Sequence, residues 1–262
     1  MQHADLIRLQ QWFDKYVTSF YDLEPDGLRN IILKKEHTMQ VVAGMASIAA
    51  GERLNKEETM IASTVALLHD VGRFPQYRRW RTFRDSDSDN HARLSLEVIR
   101  SEQLLGNLTD DERLLIEEAV RFHNLLALPE QIESPTDRYI KLIRDADKLD
   151  IWRVFLEYYQ LPEEQRASAV GLGFPDRPEV TPECLDALSS GKIVRLEQAR
   201  VLNDFKLLQI SWVYDLNFDT TRRLLLEREY LPRLAATLPD NATVTRAVRR
   251  AVSELAVSAA KA

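Results

Sequence analysis

The chain has 262 residues, a formal net charge of -6 and 45% hydrophobic side chains. That is enough apolar material for a sizeable core, and the charge argues against a protein held to nucleic acid by bulk positive potential. Cys184 is the single cysteine, so an intrachain disulfide and a thiolate metal cluster are excluded, and a reducing, cytoplasmic setting is expected.

Gly is scarce at 8 residues, and the Ala-, Leu-, Glu- and Arg-rich remainder favours helix. The first stretch, MQHADLIRLQQWFDKY, lacks the continuous apolar run of a signal peptide, and no window approaches ~18 consecutive apolar residues. Residues 4–22 read as an amphipathic helix. A second helix is expected over 28–54, with Leu33, His37, Val41, Met45 and Ile48 near one stripe. Asn55, followed three residues later by Glu58 and then an apolar run, predicts a capped helix over 56–70. Residues 72–90 read as a long loop or a short helix within loops. Helices follow at 92–105, 110–126 and 136–160. The Gly- and Pro-rich stretch ASAVGLGFPDRPEVTPE breaks this pattern and connects to three further helical segments, with Pro232 marking a kink or a helix start. The expected fold is all-α: a core of residues 1–165 and a C-terminal helical extension, 166–262, packed on it.

Five histidines are present: His3, His37, His69, His91 and His123. On helical spacing His37, His69 and His123 fall on apolar stripes and point inward, while His91 follows the polar run DSDSDN and opens the next helix. A single inward histidine is ordinarily a hydrogen-bonded core residue. Three, with a carboxylate, on separate helices of one bundle leave many buried donors and acceptors, and a metal ion satisfies them together. The segment KLIRDADKLDIW offers the carboxylates. Asp147 shares a stripe with Ile140, Ile143, Ile151 and Val154, so it is the inward candidate, and Asp145 or Asp150 can orient a ligand from behind. The alternative is that all three are surface carboxylates.

The order His37, His69-Asp70, Asp147 within a helical chain resembles the HD-domain superfamily of metal-dependent phosphohydrolases, and the contexts HDVGRFPQYRRW and DADKLD add to the likeness over about residues 28–160. The resemblance implies a metal held by His37, His69, Asp70 and Asp147. It also implies a second held by His91 and His123 with Asp70 bridging, as in HD proteins with two metals. Divalent Fe, Mn, Zn or Co suits such imidazole and carboxylate ligands. The implied activity is hydrolysis of a phosphate mono- or diester, with a nucleotide as one candidate, by metal-bound hydroxide; two ions ~3.5–4 Å apart suit in-line attack. The same six ligands also resemble HD oxygenases with a mixed-valent di-iron centre, and a non-catalytic metal- or nucleotide-binding regulatory module is a third reading. Members acting on the alarmone ppGpp resemble HDxxED, but Arg73 and Phe74 stand at the acidic positions here. The GFP of Gly173–Pro175 follows the last ligand and does not match the Gly-Tyr-Pro motif of cyclic-di-GMP enzymes.

The segment RFPQYRRWRTFR, Arg73 to Arg84, places five arginines and four aromatics beside the metal pair. One reading is an anion pocket, with Arg73, Gln76, Arg79, Arg81 and Arg84 binding substrate and the aromatics stacking a base. The other is a solvated arginine face with aromatics on the core. Asp70, Arg73 and Lys148 are the expected catalytic residues, Lys148 because it adjoins Asp147. Gly72 is expected to let the chain turn out of its helix. The expected partner is a small phosphorylated substrate; neither a membrane nor stable nucleic-acid binding is expected.

Overall fold

The computed structural model describes residues 1–129 and 131–259, which form α-helices and short 3-10 turns with no strand among them. The chain divides into two compact units: residues 1–150 with 167–172, and residues 151–166 with 173–262. The division falls within one helix. Among the described residues no helix is long and apolar enough to cross a membrane.

The first unit contains α1 (His3–Thr18), α2 (Pro25–Gly51), α3 (Lys56–Leu68), α4 (Arg73–Trp80), α5 (His91–Ser101), α6 (Asp110–Phe122) and α7 (Thr136–Gln160) as far as Asp150. α3 is the centre. Every residue from Ile61 to Leu68 is buried, as expected of a helix that packs on all sides; α1, α2 and α6 surround it. Its start is the reciprocal cap foreseen in the sequence: Glu58 N donates to Asn55 Oδ1 at 3.0 Å and Asn55 N to Glu58 Oε2 at 2.8 Å. α6 begins the same way, with Thr109 and Glu112.

Residues 72–90 contain a short helix within loops. α4 carries the basic segment, and Pro75 sits in its first turn, where its missing N–H costs no helical bond. α4 ends at Arg81 in the left-handed region, φ 56°. A 3-10 turn, Asp85–Asp87, precedes α5.

Gly72 has a different role from the one its sequence suggested. Its φ of -70° and ψ of -17° are open to any residue. What requires glycine is close approach: a Cβ there would lie 2.3 Å from Ser95 N and 2.5 Å from His91 O. Ser95 Oγ completes the junction, accepting from Gly72 N at 2.9 Å and donating to His69 O at 2.7 Å. Gly72→Ala should therefore push α5 away from the end of α3, at a cost of about 2 kcal/mol or more. A depressed thermal midpoint measures this; an unchanged one contradicts the close-packed junction.

The second unit contains the end of α7, then α8 (Pro182–Ser189), α9 (Leu202–Ser211), α10 (Asp219–Glu227), α11 (Tyr230–Ala235) and α12 (Ala242–Ala259). α9 is buried along its whole length, with Trp152 Nε1 donating to Gln209 O at 3.1 Å. Two differences from the sequence reading stand out. α8 forms at the end of the Gly- and Pro-rich stretch, with Pro182 in its first turn. The segment read as one helix around Pro232 is two, broken at Glu229 with φ 52°, so Pro232 lies in the first turn of α11.

Candidate metal centre

Four imidazoles from four helices turn their Nε2 atoms toward two carboxylates, and local structure explains each orientation. His69 and His123 end α3 and α6, where the last carbonyls lack helical donors. Each ring meets that need: His69 Nδ1 lies 2.8 Å from Ala66 O and His123 Nδ1 2.7 Å from Val120 O. A carbonyl can only accept, so both Nδ1 atoms carry the proton and both Nε2 atoms are lone pairs. His37, in the middle of α2, and His91, the first residue of α5, are oriented by carboxylates instead. His37 Nδ1 lies 2.7 Å from Asp150 Oδ2, and His91 Nδ1 2.6 Å from Asp85 Oδ2.

Asp70, one residue beyond His69, is buried, and its two oxygens face different ways. Oδ2 lies 3.7 Å from His37 Nε2 and 3.8 Å from His69 Nε2; Oδ1 lies 3.6 Å from His91 Nε2. Asp147 Oδ1 adds contacts of 3.1 Å to His37 Nε2 and 3.8 Å to His69 Nε2. Three overlapping donor sets each lie within 4.8 Å: His37 with His69 and Asp70, Asp70 with His91 and His123, and His69 with His123 and Asp147. All six residues expected as ligands thus meet in the first unit. His123 is shared between neighbourhoods rather than confined to the side of His91.

The donor set fits divalent metal. His37 Nε2, His69 Nε2 and Asp70 Oδ1 are buried without a hydrogen-bond partner, an arrangement that costs free energy unless a cation fills it. His91 Nε2 and His123 Nε2 lie 3.1 Å apart, and with both Nδ1 protons committed this is a contact of two lone pairs. Burial holds the His69 and His91 rings below their ordinary pKa, and it lowers His123 to about 3, helped by the neighbouring imidazoles. They are neutral, as ligands must be. His37 moves the other way: burial and Lys34 oppose its proton, but the Asp147 and Asp150 carboxylates on either side of the ring outweigh them. Burial pushes the Asp70 carboxyl up, yet the Lys34 and Arg73 cations beside it hold it well below the usual carboxylate range.

Lys34 was not anticipated. It lies one turn before His37, and its Nζ sits 2.8 Å from Asp70 Oδ2. The signal was available, since positions three apart share a helix face. Arg73 approaches from the other side, with Nε 3.4 Å from Asp70 Oδ1. Its Nη1 donates to Gln76 Oε1, Phe83 O and Asp85 Oδ1. Gln76 is buried and donates to Asp85, Ser88 and the Asp89 carbonyl. Arg81 pairs with Glu24, Arg84 lies 3.8 Å from Asp87, and Arg79 stacks over Trp80. Phe74, Tyr77 and Phe83 are buried, which takes three of the four aromatics out of reach of a base. Lys148 is buried on α7 beside Asp147, and Asp145 is buried too.

A helical unit with imidazoles and carboxylates converging at its centre defines an all-α protein with a His/Asp group able to hold metal. Residues 35–152 match the family model described as HD domain, and that segment includes all six converging residues. No curated protein and no solved structure matches the chain.

Proposed function

We propose that the protein is a metal-dependent hydrolase of phosphate mono- or diesters, with two divalent ions held by His37, His69, Asp70, His91, His123 and Asp147. The observation that carries this reading is the orientation of the four imidazoles: every Nδ1 is already engaged, so every Nε2 is available to the same small space. When bound, divalent ions supply Lewis acidity toward a phosphoryl oxygen and lower the pKa of a coordinated water. The chain's own residues prepare the site for that chemistry. Asp150 and Asp85 fix the His37 and His91 tautomers, and helix-end carbonyls fix those of His69 and His123. Lys34 and Arg73 keep Asp70 ionised and place two positive charges where an anionic substrate approaches. Arg73 is the substrate-binding arginine this reading favours; Lys148 is a second candidate cation beside Asp147.

The test uses chelator-treated protein reloaded with Mn(II) and assayed on aryl phosphate mono- and diesters. Wild-type protein should turn over one class only when metal is present, and His69→Ala should fall to background. Full turnover by His69→Ala, or no turnover by the loaded wild type, overturns the proposal.

A further inference from the structure

We propose that Asp85 is a positioning residue that decides whether the His91 side of the centre holds its ion; the inference rests on the two-ion reading above. Of the four imidazoles, His91 has the weakest intrinsic support. It is the first residue of α5, so no preceding turn of its own helix offers a carbonyl such as those that hold His69 and His123. His37, the other ring oriented by a carboxylate, takes Asp150 from within a long helix, whereas Asp85 sits in a 3-10 turn of three residues.

That turn is assembled around the carboxylate. Asp85 Oδ1 accepts from Arg73 Nη1 and from Gln76 Nε2, both at 3.0 Å. Arg73 also donates to Phe83 O at 2.6 Å, and Gln76 to Ser88 Oγ and Asp89 O at 2.9 Å, which ties both flanks of the turn to α4. Asp85 Oδ2 is left to face His91 Nδ1 at 2.6 Å.

The position therefore requires a group that only accepts, on both oxygens. Asparagine cannot serve. With its oxygen toward His91, its NH2 meets the Arg73 and Gln76 donors. With its NH2 toward His91, it drives the imidazole to the tautomer that carries hydrogen on Nε2, the atom needed for ligation. Asn124 adds to this bias, since its Nδ2 donor lies 3.5 Å from His91 Nδ1 and favours a lone pair there once the carboxylate is gone. The His37 side has its own carboxylate, so it does not depend on Asp85.

The experiment is Mn(II) titration of the full chelator-treated chain, with bound metal counted and the EPR spectrum recorded. Wild-type protein should take up two ions with a spin-coupled signal. Asp85→Asn should keep one ion at wild-type affinity, bind the second roughly 10–100-fold more weakly, and show the six-line spectrum of isolated Mn(II). Retention of that first ion also shows that the variant is folded. Asp87→Asn, an exposed carboxylate in the same turn, should behave as wild type. Two ions at wild-type affinity in Asp85→Asn overturn the inference alone. Equal weakening of both ions overturns its selectivity. A wild type that binds no Mn(II) instead overturns the metal reading itself, and one that binds a single ion removes the second site.

Discussion

Asp70→Ala should abolish divalent-metal binding on both sides of the centre and bring phosphoester hydrolysis to background. The two oxygens of Asp70 face different histidines, Oδ2 toward His37 and His69 and Oδ1 toward His91. Its removal takes a ligand from each side and leaves Lys34 and Arg73 beside the site without the carboxylate between them. Those cations would then repel an incoming ion, so the loss exceeds that of a single donor. Asp70→Asn keeps the volume and removes only the charge, and it should lose metal as well. Metal content after dialysis, read beside circular dichroism, separates this from misfolding. A folded Asp70→Ala protein that keeps one ion at wild-type affinity contradicts the bridging role.

Phe74→Ala should destabilise the first unit by about 3–5 kcal/mol. Phe74 is fully buried on α4, and its ring centroid lies 6.0 Å from Phe13, 5.9 Å from Tyr16 and 5.7 Å from Phe20. These rings join α4 to α1 and its C-terminal end, so truncation removes edge contacts as well as apolar burial. Denaturant unfolding measures the cost, and metal binding by the variant that stays folded at low temperature should be retained. Unchanged stability with lost nucleotide affinity would return Phe74 to the base-stacking role that its place beside the arginines suggested.

The inward direction of three histidines was legible in the sequence because helical periodicity is a local property. His37 belongs to a regular apolar stripe, and His69 and His123 end such stripes, so their inward direction followed from spacing. The supporting residues were legible to differing degrees. Asp150 could be named as an orienting carboxylate because it shares a helix with Asp147. Asp85 could not, since its partnership with His91 depends on the path of a non-helical turn that no periodicity specifies. Lys34 was visible in principle at three residues from His37, but a lysine on a long helix is ordinarily solvated. The arginine and aromatic segment held two meanings that tertiary packing alone separates: Phe74, Tyr77 and Phe83 went to the interior, while Arg78, Arg79 and Arg81 remained exposed.

Six side chains in the first unit are proposed to form one two-ion centre, and anomalous scattering from a crystal of the Mn(II)-loaded protein shows whether they do. Two peaks should appear among the His37, His69, His91 and His123 Nε2 atoms, one on each side of Asp70. A difference map with no peak at this cluster, or with metal bound only elsewhere on the chain, would contradict it.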